Sequence, residues 1–393
     1  MSNSLNRRNW IKSSAVMAGG LAFLSGTTSK LVAAPIAKKI NFFEHESEFL
    51  SEAQVAAMNP PEMKARLNAN ENPFGPSPAA KKAIEGAVDD SFRYPFSNTR
   101  VLMGKIATHE GVTQQNIFMD AGSTPILEAA GMFYGKNGAE IISGETSYDD
   151  LPSHAARLGS KWVKVPMTAD FKLDLDAIEA KVTSNTGLVY ICNPNNPTAT
   201  VVDTEKLKAF CDRVSKKTMV FVDEAYIDYM PDPQAATMID MVKKGSNIIV
   251  ARTFSKLYGF AGMRCGYIIA QPETIAIISK YTPGAMSLNA LTVAGAAAAY
   301  QETEFLQDAL KKTLASKEFL YATLKKEGYD YIPSSANFVL FPIKMDGKQF
   351  SSEMNKRGVG IRVWKMNGKD YCRISIGRMD EMQAFADAFK QLS

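Results

Sequence analysis

A lysine in a glycine-rich segment is the residue of this sequence with the clearest potential for chemistry. The segment 252–264 reads RTFSKLYGFAGMR, with a serine before Lys256, two glycines after it and Arg264 at its end. A lysine amine can react with a carbonyl carbon, and an arginine beside flexible backbone suits an anion such as phosphate. A solvated loop lysine is the alternative for this segment alone. The combination predicts a reactive amine beside an anion site.

Three other polar clusters adjoin apolar runs. They are the segments 222–226 (VDEAY), 121–125 (AGSTP) and 193–198 (NPNNPT). Asp223 follows an apolar run and can pair with a buried cation, although a helix-capping aspartate is the alternative. Gly122 and Ser123 precede a helical pattern with proline in its first turn, where free N–H groups favour an anion or an ordinary cap. Asn196 lies in a turn fixed by prolines.

Short apolar runs alternate with helical patterns from about residue 77 to 285. The runs are 140–142, 162–165, 188–191, 219–222, 248–250 and 267–270. Because they are rich in β-branched residues and do not alternate with polar ones, they read as strands buried on both faces. We therefore predict an α/β fold whose large domain is a mostly parallel sheet flanked by helices. Ligands of such sheets bind beyond the carboxyl ends of the strands, where the clusters fall.

The remainder of the chain has a different pattern. A long helical region at about 290–326, strands at 337–341, 359–363 and 371–376 and a last helix at 380–391 predict a smaller α+β domain. An amphipathic helix is predicted at 41–60. We divide the chain into a signal region (1–37), an N-terminal arm (38–76), a large domain (77–288) and a small C-terminal domain (289–393).

The order and intervals of these clusters resemble those of fold-type I aminotransferases, which use pyridoxal 5'-phosphate (PLP), and most of all the histidinol-phosphate aminotransferase family. The resemblance covers about residues 66–391. It includes the segment 67–78 (LNANENPFGPSP) and the segment around Ser255 and Lys256. It implies the fold of PLP transferases of that type, with a seven-stranded sheet in the large domain.

The resemblance implies a cofactor role for each matching residue. Lys256 would carry PLP as a Schiff base and move the substrate's proton, while Asp223 would keep the pyridine nitrogen protonated. Tyr226 and Asn196 would hydrogen-bond the phenolic oxygen. Tyr148 would stack on the ring, with a surface turn as its alternative. The phosphate would be held by Gly122, Ser123, Ser255, Arg264 and Tyr94 of the partner subunit.

Substrate contacts are implied in the same way. Arg373, in the segment 373–377 (RISIG), would hold the substrate's α-carboxylate with its two-pronged guanidinium. An exposed strand face is the alternative for an arginine among apolar residues. Asn72 and Arg362 are further candidates for substrate contact. Because Tyr94 would act across an interface, the resemblance also implies a homodimer.

Composition excludes several other classes of function. The formal net charge is only +4 over 393 residues, and no basic stripe alternates with aromatic residues, so nucleic acid is not an expected partner. The three histidines have no ligand spacing, and the four cysteines form no Cys-x-x-Cys pair. We therefore expect no metal site. The cysteines are predicted to be free, buried thiols: Cys192, Cys211, Cys265 and Cys372.

The first forty residues resemble an export signal. The segment 6–12 (NRRNWIK) contains a twin-arginine pair, and a short apolar stretch follows at 15–24. That stretch is too short for a membrane-spanning helix, so we expect no stable membrane span after processing. The segment predicts a periplasmic or otherwise exported protein. A chance arginine pair on a cytoplasmic protein is the alternative.

Transamination between an amino donor and a 2-oxo acid, by a ping-pong mechanism, is the leading hypothesis for function. Other PLP reactions on the same fold are alternatives: decarboxylation, C–S bond cleavage or racemisation. A non-catalytic PLP-binding protein is a third. An exported enzyme would seldom meet histidinol phosphate, a cytosolic intermediate. The substrate is therefore open between that compound and another amine or amino acid, such as an aromatic one.

Overall fold

The computed structural model describes residues 62–300 and 302–392. The predicted signal region and the predicted helix at 41–60 lie outside these residues. Within them, the predicted α/β fold is confirmed by a mostly parallel central sheet with helices around it. No helix in the described part of the chain combines the length and apolar character needed to cross a bilayer.

The central sheet has seven strands in the order β2-β8-β7-β6-β5-β3-β4. Neighbours from β4 through β3, β5 and β6 to β7 are parallel, whereas β8 is antiparallel to both β7 and β2. All six apolar runs predicted as strands are strands, but the run at 162–165 is not buried on both faces as predicted, because it forms the edge of the sheet and leaves Lys164 exposed. The members are β2 (Ile117–Asp120), β3 (Glu140–Gly144), β4 (Lys161–Val165), β5 (Thr186–Cys192), β6 (Met219–Asp223), β7 (Ile248–Thr253) and β8 (Gly266–Ile269).

The helices begin with recognisable caps. Ser77 Oγ accepts a hydrogen bond from the Ala80 N–H at 3.1 Å, and Asn289 Oδ1 accepts one from the Thr292 N–H at 2.8 Å. The helices are α1 (Pro78–Gly86), α2 (Phe96–Glu110), α3 (Thr124–Tyr134), α4 (Asp150–Arg157), α5 (Leu175–Ala180), α6 (Thr204–Val214), α7 (Pro233–Ala236), α8 (Ile239–Lys243), α9 (Pro272–Ile278), α10 (Ala290–Ala299), α11 (Thr303–Lys326), α12 (Gly347–Lys356) and α13 (Met379–Phe389).

A smaller sheet lies in the C-terminal part of the chain. Its order is β11-β12-β9, and all its pairs are antiparallel. A separate parallel pair joins β1 to β10. The strands are β1 (Ala65–Arg66), β9 (Phe338–Pro342), β10 (Val359–Gly360), β11 (Arg362–Met366) and β12 (Lys369–Ser375). The single strand predicted at 359–363 is therefore two strands, because the chain changes partner at Ile361.

The helix predicted over 290–326 is also two helices, because its halves pack into different cores. Val293 and Ala296 of α10 join the core beneath the central sheet. Leu320 and Leu324 of α11 pack in the core of the C-terminal strands. Helix α10, assigned from sequence to the small domain, thus contributes to the same core as the large sheet.

A buried ion pair joins the ends of two central strands. Arg252, on β7, donates from Nε to Glu224 Oε2 at 2.7 Å, just beyond β6. Glu224 also accepts the Met238 N–H at 2.7 Å and the Thr237 hydroxyl at 2.9 Å. Both charged side chains are at least nine-tenths buried. The pair therefore fixes the two segments that carry Asp223 and Lys256.

We predict that Arg252→Met lowers the free energy of unfolding by about 3 to 5 kcal/mol, because it leaves Glu224 buried without its cation. Urea denaturation of the cofactor-free protein measures the loss. The matched control is Arg213→Met, which removes a half-exposed arginine paired with Glu179 at 2.7 Å. That change should cost about 1 kcal/mol or less. Equal losses for both variants would contradict the role of burial.

Candidate active site

An acid and an amine meet at the carboxyl edge of the central sheet. Asp223 is the last residue of β6 and only 2% exposed, and Lys256 follows β7 by three residues. The Lys256 Nζ atom lies 5.2 Å from the centroid of the Tyr226 ring. The side chains of these three residues, predicted from sequence to be catalytic, are therefore grouped in one place. Lys256 forms no ion pair with any described residue.

Burial controls the protonation of Asp223. Removal from water raises its pKa to about 6, while hydrogen bonds from Tyr190 and from the Ala225 N–H act in the opposite direction. The Tyr190 hydroxyl donates to Asp223 Oδ2 at 2.8 Å, and the Ala225 N–H donates to Oδ1 at 3.1 Å. The carboxylate is thus oriented by two donors, and a cation placed beside it would favour its charged form.

A second group of predicted residues forms an anion cradle. Gly122 and Ser123 precede α3, and Arg264 donates from Nη1 to Ser255 Oγ at 3.4 Å. A Cβ atom on Gly122 would collide with the Arg264 guanidinium, so only glycine allows this approach. Arg264 itself adopts φ 58°, a left-handed conformation that is unusual for this residue type. It forms no ion pair among the described residues, which leaves its charge available to an anion.

The loop that carries Gly122 is fixed by a buried aspartate. Asp120 Oδ2 accepts the Thr282 hydroxyl at 2.5 Å and the Gly284 N–H at 3.1 Å. Its other oxygen accepts the Ala121 N–H at 2.7 Å. These bonds therefore hold the start of α3 rigidly. The first N–H groups of a helix such as α3 attract anions.

Arg373 lies in a polar network that joins distant parts of the chain. It donates from Nη1 to Asn196 Oδ1 at 2.7 Å and from Nη2 to the Asn68 carbonyl at 2.9 Å. Its Nε atom is buried without a hydrogen-bond partner. Removal from water lowers the pKa of this arginine to about 10. The predicted Asn196 and Arg373 are therefore in direct contact.

Asn70 links Tyr226 to strand β12, the strand that carries Arg373. Its Nδ2 donates to the Tyr226 hydroxyl at 3.0 Å, and its backbone N–H donates to Ser375 Oγ at 2.7 Å. Asn70 takes φ 53°, a left-handed conformation that asparagine tolerates better than most residues. Tyr226 is thus oriented by a residue of the N-terminal segment.

Two other predicted residues lie at the margin of this group. Tyr148 is half-buried and donates its hydroxyl to Asp150, and burial, followed by the charge of Asp150, raises its pKa well above the usual range. Asn72 donates from Nδ2 to the Leu257 carbonyl at 2.6 Å, which ties the N-terminal segment to the loop of Lys256.

Two predicted residues are exposed in the single chain. Tyr94 is 72% exposed and stacks on Phe96 with ring centroids 5.7 Å apart. Arg362 is exposed and lies over the Trp364 ring, 5.1 Å from its centroid. The structure therefore does not group Tyr94 with the acid, the amine or the anion cradle of its own chain.

Sequence reasoning missed several residues that the site uses. Tyr190 stands inside an apolar run and carried no signal beyond its hydroxyl. Asn68 and Asn70 belong to the asparagine-rich segment 67–78, whose amide content was the available signal. Ser375 and Trp364 showed no feature that separates them from ordinary strand residues.

The residues present fit PLP on three structural grounds. A buried carboxylate of raised pKa suits a protonated ring nitrogen, an unpaired lysine suits the aldehyde, and an unpaired arginine beside a helix start suits the phosphate. No cluster of three or more histidine, cysteine, aspartate or glutamate side chains in the described part of the chain is arranged to hold a metal ion. All four cysteines are buried and free.

The raised pKa of Asp223 gives a pH dependence that can be measured. Above pH 6 the folded, cofactor-free protein must hold a buried charge, whereas the unfolded chain ionises near pH 4. The stability of the native sequence relative to Asp223→Asn should therefore fall by about 3 kcal/mol as pH rises from below 4 to above 6. Denaturation of both proteins across this range measures the difference. A difference that stays flat across this range would refute the argument.

Comparison with known proteins agrees with this geometry. The chain is 33% identical to a histidinol-phosphate aminotransferase from Moorella thermoacetica, over 83% of this chain and 85% of that protein. It is 36% identical to an aromatic amino acid aminotransferase from Mycolicibacterium vanbaalenii, over 81% and 90%. The structure of a histidinol-phosphate aminotransferase from Sinorhizobium meliloti, in complex with pyridoxal-5'-phosphate, matches with a TM-score of 0.80. That match has 28% identity and covers 91% of this chain and 100% of the other.

The family assignment rests on most of the chain. Residues 62–389 match the family model for class I and II aminotransferases, a span that includes every predicted site residue. The protein belongs to the class I and II aminotransferase family.

Proposed function

We propose that this PLP-dependent transaminase moves an amino group between an aromatic amino acid and a 2-oxo acid. The observation that carries the proposal is the grouping of Asp223, Lys256 and Tyr226, together with the contact of Arg373 with Asn196 at 2.7 Å. Arg373 suits a substrate with a carboxylate, which both an amino acid and a 2-oxo acid possess. The 36% identity to an aromatic amino acid aminotransferase supports an aromatic donor.

Each residue has a defined task in this reaction. When bound, PLP accepts electrons from the substrate's α-carbon into its ring. Asp223 would hold the proton on the ring nitrogen, and the Lys256 amine would accept and return the proton that the substrate's α-carbon loses. Arg373 orients the substrate through its carboxylate. The first product, a 2-oxo acid, leaves before the second 2-oxo acid enters, which gives ping-pong kinetics.

The cofactor would be held by the two groups described above. Gly122, Ser123, Ser255 and Arg264 would hold the phosphate. Asn196 and Tyr226 would hydrogen-bond the phenolic oxygen, and Tyr148 would cover the ring. Asn196 already accepts a hydrogen bond from Arg373 through Oδ1. Its Nδ2 atom would therefore donate the hydrogen bond to the cofactor.

Histidinol phosphate is the second candidate donor. The 33% identity to a histidinol-phosphate aminotransferase favours it. A donor screen with L-tyrosine, L-phenylalanine and histidinol phosphate, each paired with 2-oxoglutarate, separates the two. A preference for histidinol phosphate would overturn the aromatic proposal. Release of carbon dioxide or ammonia, or inversion of the α-carbon, would instead indicate a decarboxylase, lyase or racemase.

We predict that Lys256→Ala abolishes turnover, because Lys256 is the amine beside Asp223 that would move the proton. Borohydride reduction of the PLP-treated native protein should leave the cofactor attached to the peptide that contains Lys256. The matched control is Lys280→Ala, at an exposed lysine in the turn after helix α9, which should retain activity and the tag. An untagged Lys256 in the native protein would refute the assignment.

We further propose a homodimer in which Tyr94 completes the phosphate site of the partner subunit. Phe92, Tyr94 and Phe96 are 75%, 72% and 49% exposed, an aromatic patch that a second copy would cover. Val101, on the adjacent helix α2, is also exposed.

Mixing two inactive variants tests the shared site. Lys256→Ala and Tyr94→Ala homodimers should both have low activity. After unfolding and refolding together, mixed dimers should contain one site with both native residues, so activity should rise toward one quarter of the native value. This follows because about half of the dimers are mixed and each has one of two sites intact. Failure to recover activity from the mixture would exclude a shared site.

The twin-arginine pattern at residues 6–12 supports a last proposal, that the protein is exported to the periplasm. This segment lies outside the described residues. Replacing Arg7 and Arg8 with lysine should move the protein from the periplasmic to the cytoplasmic fraction. Native protein found only in the cytoplasmic fraction would refute export.

A further inference from the structure

The guanidinium of Arg373 lies between two aromatic rings from neighbouring strands. Its central carbon is 4.5 Å from the Trp364 ring centroid and 5.3 Å from the Phe338 ring centroid. Trp364 is on β11 and Phe338 is on β9, and both strands pair with β12, which carries Arg373. Both aromatic contacts follow from the strand register.

The register makes Trp364 the diagonal neighbour of Arg373. Arg362 stands directly opposite Arg373, and Trp364 stands opposite Tyr371. Residues two positions apart on a strand share a face, so Arg362, Trp364 and Arg373 all project from the same side of the sheet. Arg362 also lies over the indole, 5.1 Å from its centroid. One ring therefore faces two cations.

The arginine at this position needs such support because nothing in the described part of the chain neutralises it. Arg373 is 3% exposed and forms no ion pair with a described carboxylate. The nearby charge of Arg362 adds repulsion. The negative face of an indole attracts a guanidinium, and the attraction is larger when the cation has lost its water.

We propose that Trp364 is a positioning residue that stabilises the Arg373 guanidinium in the orientation that binds the substrate's carboxylate. The inference rests on the proposed role of Arg373 in carboxylate binding. Hydrogen bonds to Asn196 and to the Asn68 carbonyl fix the positions of the Nη1 and Nη2 atoms, and the two rings fix the plane of the guanidinium. The cation is thus preorganised for an anion that only the substrate supplies. Trp364 acts through Arg373 and touches no reacting atom.

Binding of a matched acid and amide to the PLP-loaded enzyme tests this role. The probes are 3-phenylpropionate, which carries a carboxylate, and 3-phenylpropanamide, which has the same shape without the charge. Calorimetry should show that Trp364→Leu weakens binding of the acid by about tenfold and leaves binding of the amide nearly unchanged. Trp364→Phe, which keeps an aromatic face with a weaker quadrupole, should give an intermediate loss. In steady-state assays the KM for both carboxylate substrates should rise while kcat changes little.

The chain offers a control with the same chemistry elsewhere. Trp162, on strand β4 at the edge of the central sheet, has the Lys164 ammonium 4.1 Å from its ring centroid. Its Nε1 donates to Ser143 Oγ at 2.8 Å. Trp162→Leu should change binding of neither probe, because this cation–π contact is remote from Arg373.

The outcomes separate failure of this inference from failure of the proposed function. Equal losses for acid and amide in Trp364→Leu, or no loss for the acid, would overturn the role of Trp364. Arg373→Gln tests the premise: if it leaves binding of the acid unchanged, carboxylate binding by Arg373 fails instead. If Trp364→Leu does not fold, Trp364→Phe decides. The inference would be overturned if this variant bound the acid as tightly as the native enzyme does, or if it lost as much affinity for the amide as for the acid.

Discussion

The buried ion pair between Glu224 and Arg252 is the interaction on which the site's geometry depends. Glu224 directly follows Asp223, and Arg252 precedes Lys256 by four residues. While Glu224 binds the neighbouring strand through Arg252, Asp223 accepts the Tyr190 hydroxyl from the strand on its other side. Two consecutive acids thus fasten β6 to both neighbours. The sheet consequently fixes Asp223 at the end of β6 and the start of the segment that carries Lys256.

The site also concentrates charge that the protein does not balance. Lys256, Arg264 and Arg373 form no ion pairs among the described residues, and the carboxylate of Asp223 is removed from water. Arg373 and Asp223 lower the stability of the empty protein, because each is buried and has lost hydration without gaining a counter-ion, whereas Lys256 is half-buried and Arg264 is exposed. A cofactor with a cationic ring nitrogen and an anionic phosphate, followed by a substrate carboxylate, would offset these costs in turn. Binding and folding are therefore linked.

Local sequence patterns predicted most of the central strands. They did not predict the interactions between segments that lie far apart in the chain. Strand β3 and strands β5 to β8 are apolar runs buried on both faces, a signal visible without knowledge of the fold, whereas the edge strand β4 is only partly buried. Strand β2 was missed because its four residues end in Asp120, whose partners Thr282 and Gly284 lie far along the chain. The resemblance gave Lys256, Asp223 and Arg264, but Asn70 and Trp364 act through contacts made only by tertiary pairing. Asn72 shows the same limit, since sequence could not reveal the Leu257 carbonyl that it contacts.

The link between Asn70 and Ser375 has a consequence for how the molecule is made. These residues are 305 positions apart, and strand β1 near the start of the described chain pairs with β10 near its end. The pocket around Tyr226 therefore cannot close on the ribosome until almost the entire polypeptide has emerged. Its completion is a late event in folding, delayed by the entropy of joining such remote segments. Any cofactor that depends on this closure is captured by a finished chain and not by a nascent one.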